Sequence, residues 1–211
     1  MNIISHRGYW KNEKEKNTEL AFRNSFELGF GTETDIRDLD GEIVISHDIP
    51  KYSDELMLFS DFLSLYKSID DSLPLALNVK SDGLQIPVKA LLEKKNVKNY
   101  FLFDMSIPDM IQTKNYGLRF LTRVSDVEKE AIMLDASSGV WMDEFYEEWI
   151  DKQSIDFYTE QGMNVYLVSP ELHKRRPEVK WSLLKSSGIQ ENNKVCLCTD
   201  LPEVAAEFFR G

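Results

Sequence analysis

Apolar and polar positions recur with two different periods along this chain. Short, nearly continuous apolar runs occur at 2–6, 31–36, 43–46, 74–79, 99–104, 118–123, 139–143, 164–169 and 194–199. Runs such as Asn99-Tyr100-Phe101-Leu102-Phe103 lack the in-out alternation of a half-exposed strand and fit parallel strands buried on both faces. Between them lie segments with helical spacing at 18–28, 54–67, 85–95, 106–115, 126–134, 145–162, 178–187 and 202–210. The first places Leu20, Ala21, Phe22, Phe26 and Leu28 along it, with Asn17 or Thr18 as N-cap and Gly29 as the stop. The segments 106–115 and 126–134 are short.

If 43–46 is a return strand after Asp40-Gly41, eight strand–helix units remain. That pattern predicts an α/β protein, a single-domain (β/α)8 TIM barrel over residues 1–211, compact for the class. No linker, low-complexity tract or further repeat interrupts it. In such a barrel the working groups stand at the carboxyl ends of the strands. Here those ends carry His6 and Arg7, Glu33 and Asp35, Asn78 and Lys80, Asp104, Arg123, Asp143, Glu171 and His173, and Asp200. His47 follows the return strand, so all three histidines fall at strand ends.

Composition narrows the partners. With 42% hydrophobic and 11% aromatic residues the chain is ordinary globular protein. A formal charge of −11 disfavours a general nucleic-acid binder, which needs a basic face, but leaves room for a small anionic substrate met by a local cation cluster. No apolar run approaches the ~20 residues of a membrane span. No signal peptide is recognised before Asn2-Ile3-Ile4-Ser5, and the expected location is the cytoplasm. Cys196 and Cys198 alternate on one strand, where disulfide geometry is rarely met; they read as small buried hydrophobes in a reducing compartment.

The chemistry concentrates in the first 48 residues. Glu33 and Asp35 share one strand face about 7 Å apart. Two buried carboxylates are costly unless a cation lies between them, and hard oxygen donors favour Mg²⁺ or Ca²⁺. Salt bridges to Lys80 or Arg7 are the alternative. Two imidazoles, His6 and His47, are suited to giving and taking protons near neutral pH. The planar fork of Arg7 suits phosphate oxygens. Asp48 belongs either to this group or to a cap of the following segment. Lys11 to Lys16 reads as a solvated loop, whereas Lys174-Arg175-Arg176 follows a strand end and is a candidate for substrate contact. Tyr9, Trp10 and Trp141 read first as packing aromatics.

In order, His6-Arg7-Gly8, Asn17-Thr18 with Ala21-Phe22, Gly31-x-Glu33-x-Asp35, Asp40-Gly41 and His47-Asp48 resemble the glycerophosphodiester phosphodiesterase family. The match covers about the first quarter of the chain. The resemblance implies a (β/α)8 barrel that hydrolyses phosphodiesters with a divalent cation. It implies His6 and His47 as the acid–base pair, Glu33 and Asp35 as metal ligands, Arg7 as a phosphate contact and a small phosphodiester as substrate. Two positions depart from the pattern. The family's Glu-x-Lys on the third strand is Asn78-Val79-Lys80 here, leaving Lys80 for phosphate and an amide, Asn78, as third metal ligand; the glutamate before Asn-Thr is Lys16. The insertion many relatives carry has little room between His47 and the next helix. Asp143 is the favoured replacement acid, with Arg123, Glu171 and His173 as additional candidates and Asp104 as a weaker one. The lost acids also leave open a phosphate-binding barrel with little or no activity, and a lyase that stops at a cyclic phosphate.

Overall fold

The computed structural model describes residues 1–51 and 55–210. The chain forms two compact units, Ser5–Phe120 and Met1–Ile4 with Leu121–Gly211, and strand β1 (Asn2–His6) runs through the division.

The first unit carries α1 (Glu19–Glu27), β2 (Gly31–Leu39), β3 (Glu42–Ile45), α2 (Phe59–Ile69), β4 (Leu75–Val79), α3 (Gln85–Lys94), β5 (Tyr100–Phe103) and α4 (Ile107–Asn115). Its strands follow the order β5-β4-β2-β1, with β3 folded back antiparallel on β2 as the Asp40-Gly41 turn predicts. In the parallel β2–β4 register Asp35 lies beside Asn78, and Glu33 beside Ala76. One face of the β2–β4 pair therefore lines up Glu33, Asp35 and Asn78, because alternate residues share a face and paired residues point the same way.

Behind this sheet, α1 and α2 close an aromatic core. Phe22 meets Phe62 edge-on at 4.7 Å between ring centroids, and Phe26 meets Tyr66 at 5.5 Å. Each such pair adds about 0.5–1.5 kcal/mol beyond the apolar area it buries. The Thr18 hydroxyl caps α1 by accepting the Ala21 N–H. The helix expected at 54–67 forms as α2; its expected start lies outside the described residues.

The second unit carries β6 (Thr122–Ser125), β7 (Gly139–Asp143), α5 (Lys152–Thr159), β8 (Asn164–Val168), α6 (Glu178–Ser186), β9 (Val195–Thr199) and α7 (Pro202–Arg210). The parallel order is β9-β8-β7-β6. Val140, Val165 and Val195 pack with Ile155, Trp181, Leu184 and Ala205 in its core. Cys196 and Cys198 are free and buried, as the alternation predicts.

Three expectations fail here or at its edge. The helix expected at 126–134 does not form; only a 3-10 turn at Leu134–Ala136 follows. A helix there needs Asp126 near its N-terminus, but the Asp126 carboxylate accepts the backbone N–H groups of Phe145, Tyr146 and Glu147 instead. Ser125 binds the Val127 and Glu128 N–H groups in a local turn, and Met133 takes a left-handed φ of 58°. The same clasp keeps 145–151 out of the helix expected at 145–162, which begins only at Lys152, behind an Asp151 capping box. The strand expected at 118–123 lies at Thr122–Ser125: Leu118 and Leu121 are buried apolar residues outside any strand, and Phe120 makes only an isolated bridge to Leu102.

Candidate active site

The site in the first unit begins at the end of β1. His6 leads into two successive left-handed residues, Arg7 at φ 58° and Gly8 at φ 80°. Position 8 accepts only glycine, since a Cβ there would stand 2.7 Å from Ala21. The turn is tied down by Arg7 N–H donating to the Glu33 carbonyl at 2.9 Å, while the Arg7 carbonyl accepts the Asn17 N–H at 3.0 Å. It sends the Arg7 side chain to Asp35, with Nε 2.9 Å from Oδ2. That contact is an ion pair without hydrogen-bond alignment, since Nε makes no hydrogen bond.

Asn17, expected as a possible helix cap, does different work. Its Nδ2 donates to Asp35 Oδ2 at 2.9 Å and its Oδ1 accepts the Thr34 hydroxyl at 2.9 Å, so it orients the carboxylate. Thr18 takes the capping role. Lys80, just past β4, brings Nζ to 3.5 Å from Asp35 Oδ1 and 3.7 Å from Asp104 Oδ2. His6 Nε2 stands 3.9 Å from Glu33 Oε2. His6, Arg7, Glu33, Asp35, Asn78, Lys80 and Asp104 are thus one cluster.

Three oxygens in it accept no hydrogen bond: Glu33 Oε2, Asp35 Oδ1 and Asn78 Oδ1. Their residues are 2%, 0% and 8% exposed. Burial pushes the Glu33 carboxyl up to about 7, the Asp35 charge adds to this, and the charges of His6, Arg7 and Lys80 pull the other way. Unsatisfied buried oxygens are uncommon because each forfeits its hydration. Among the described residues no three His, Cys, Asp or Glu side chains form a metal cluster. The donor set here is two carboxylates and an amide, which are oxygen ligands suited to a hard divalent cation.

His47 follows β3. The segment is anchored by Ser46 N–H donating to the Asp35 carbonyl at 3.0 Å and by Arg37 Nε donating to the His47 carbonyl at 3.1 Å. The imidazole is 46% exposed, with Nδ1 2.8 Å from Asp48 Oδ1. Asp48 therefore orients His47. Its carboxyl is held below the usual range first by the hydrogen bond from His47 and by the His47 charge, then more weakly by Arg7 and Arg37.

The remaining candidates lie in the second unit. Asp143, at the end of β7, brings Oδ1 to 2.6 Å from His173 Nε2 and also accepts the Glu144 N–H. Glu171 accepts hydrogen bonds from Ser169, Thr199 and the Asp200 N–H, which ties the ends of β8 and β9 together. Arg123 pairs with Glu128 and lies over the Phe145 ring. Arg175 donates to the Glu144 carbonyl. Trp141 is buried and stacks on Tyr166.

No family profile and no curated protein matches the chain. Solved structures do. A protein of Galdieria sulphuraria assigned as a glycerophosphodiester phosphodiesterase is 17% identical, with a TM-score of 0.77 over 100% of this chain and 98% of its own. The glycerophosphodiester phosphodiesterase of Agrobacterium tumefaciens is 14% identical, with a TM-score of 0.72 over 98% and 99%. A phosphodiesterase of Oleispira antarctica, solved with the product sn-glycerol-3-phosphate, is 13% identical, with a TM-score of 0.68 over 100% and 97%. The chain has their fold, the (β/α)8 TIM barrel expected from the sequence.

Proposed function

We propose that this protein is a divalent-cation-dependent phosphodiesterase acting on a small, glycerophosphodiester-like substrate. The observation that carries the reading is the trio of buried, unsatisfied oxygens on Glu33, Asp35 and Asn78, flanked by His6, Arg7 and Lys80. The shared fold with phosphodiesterases supports it, among them one solved with a glycerol phosphate product.

Glu33, Asp35 and Asn78 would hold Mg²⁺ or Ca²⁺. Such an ion supplies Lewis-acid polarisation of a phosphoryl oxygen and acidifies a nearby hydroxyl. Arg7 and Lys80 neutralise the diester; each rests on Asp35, which holds it in place. His6 and His47 divide the proton work: one imidazole takes the proton of the attacking hydroxyl while the other protonates the leaving oxygen. Asp48 fixes the tautomer of His47 by engaging Nδ1, which leaves Nε2 for the reaction. The free, buried thiols of Cys196 and Cys198 suit a reducing compartment, and we place the protein in the cytoplasm. Among the described residues no helix is long and apolar enough to cross a membrane.

A panel of glycerophosphodiesters assayed with Mg²⁺, Ca²⁺ and Mn²⁺, and with a chelator, tests this. Turnover abolished by the chelator and restored by one of the ions is expected, with a phosphomonoester as the final product in phosphorus NMR. A cyclic phosphate as the only product would identify a lyase. Saturable phosphate-ligand binding without turnover would identify a binding protein.

A further inference from the structure

The charged stretch Lys11–Lys16 between β1 and α1 is exposed over Lys11–Lys14, as its composition predicts, but it is internally hydrogen-bonded and joined through Trp10 to His6. Asn12 and Glu15 close a capping box around the 3-10 turn Glu13–Glu15. The Glu15 carboxylate also accepts the Lys11 N–H at 2.9 Å. The Trp10 indole N–H donates to the His6 carbonyl at 3.2 Å, which fixes the ring against the residue expected to move a proton. Lys16 Nζ lies over that ring, 4.3 Å from its centroid. The next residue is Asn17, whose N–H binds the Arg7 carbonyl and whose side chain holds Asp35. Lys16 is thereby tethered on one side to His6 and on the other to the Arg7–Asp35 pair. The acid nearest it, Glu13, is 3.9 Å away and 84% exposed, an arrangement in which an ion pair contributes little. A held cation with a weak partner is available to a ligand.

We propose that Lys16 is a specificity-determining residue that favours diesters whose second alcohol carries an additional anionic group, such as a phosphomonoester. This rests on the phosphodiesterase reading. Arg7 and Lys80 suffice for the single charge of a diester; Lys16, on the Trp10 platform, meets a second charge further along the substrate.

The test compares three diesters of glycerol phosphate, with glycerol, choline or glycerol phosphate as the second alcohol. The wild type is expected to prefer the phosphorylated alcohol over choline in kcat/KM by about tenfold at low salt, mainly through KM, and to lose that preference as ionic strength rises. Lys16→Met keeps the stem on Trp10 and removes the charge; the preference is expected to collapse toward one. Lys16→Arg is expected to restore it. A wild type without the preference, or a ratio that Lys16→Met leaves unmoved, overturns the role of Lys16 while leaving the phosphodiesterase reading intact. Failure of the wild type to hydrolyse any of the three with any cation overturns the phosphodiesterase reading, and this proposal with it.

Discussion

The two units treat the polar residues at their strand ends in opposite ways. In the second unit three carboxylates are each held by several donors. Asp126 takes three backbone N–H groups, Glu171 ties two strand ends together, and Glu144 accepts the N–H groups of Trp149 and Ile150 along with the Lys180 ammonium at 2.7 Å. In the first unit, Glu33, Asp35 and Asn78 are buried, as Glu144 is, but keep oxygens with no hydrogen bond. Saturation holds loops in place; the lack of it sets the Glu33–Asp35–Asn78 group apart as the one proposed to take a cation. The carboxyl of Glu33 and that of Asp126 show the contrast in their titration. Burial raises the first to about 7. Burial also pushes the Asp126 carboxyl up, but the hydrogen bonds from Tyr146, Phe145 and Glu147 together outweigh it and hold the group below 3.8.

The comparison breaks most visibly at Glu144. Glu144→Ala leaves the buried Lys180 ammonium, 8% exposed, without its main acceptor and is expected to cost about 3–5 kcal/mol, read from the shift of the urea midpoint. An unmoved midpoint would show that this carboxylate is not structural. At the other pole, His6→Ala and His47→Ala are each expected to cut kcat at least ~10²-fold with the urea midpoint nearly unchanged. Near-wild-type rates in both would remove the acid–base assignment.

Asn78→Glu converts the neutral oxygen donor into a charged one. It is expected to tighten cation binding by about tenfold in calorimetric titration; unchanged affinity would place Asn78 outside the donor set. The smallest effect concerns the Asp126 clasp, whose depressed pKa sets the sign. Its stabilisation is complete above 3.8 and is lost as pH falls through the folded-state value. The stability gap between wild type and Asp126→Asn should therefore close on acidification, and a gap constant from pH 7 to pH 2 would refute the clasp.

The parts of this molecule legible from sequence were those decided locally. The strands before His6, around Glu33 and before Lys80 announce themselves as apolar runs, and the strand face then places Glu33 and Asp35 together without further information. What stayed hidden depended on partners far along the chain. Asn17 has the composition of a helix cap, and only the position of Asp35, 18 residues on, makes it a carboxylate holder. The segment 126–134 has helical spacing, but Asp126 is committed to N–H groups about 20 residues later. Glu171 and Arg123 have the residue types of a site, but no sequence pattern names the partners the structure gives them, Thr199 for Glu171 and Glu128 for Arg123. Periodicity carries no information about such long-range hydrogen bonds.

The left-handed pair Arg7-Gly8 carries a last consequence. A non-glycine residue held at φ 58° costs about 1–3 kcal/mol of backbone strain, which the free chain sheds by relaxing to an extended form. A peptide bearing His-Arg-Gly in isolation would splay its guanidinium at random and recognise no phosphate. The placement of the guanidinium is thus a collective property that comes into being only once β2 and Asn17 have closed around it, so under the phosphate-binding role proposed for Arg7, ligand capture would report native folding of this unit. Under that proposal, a variant of the unit that still captures a phosphodiester is expected to have kept the turn, and ligand capture would serve as a conformational assay where spectroscopy is blind.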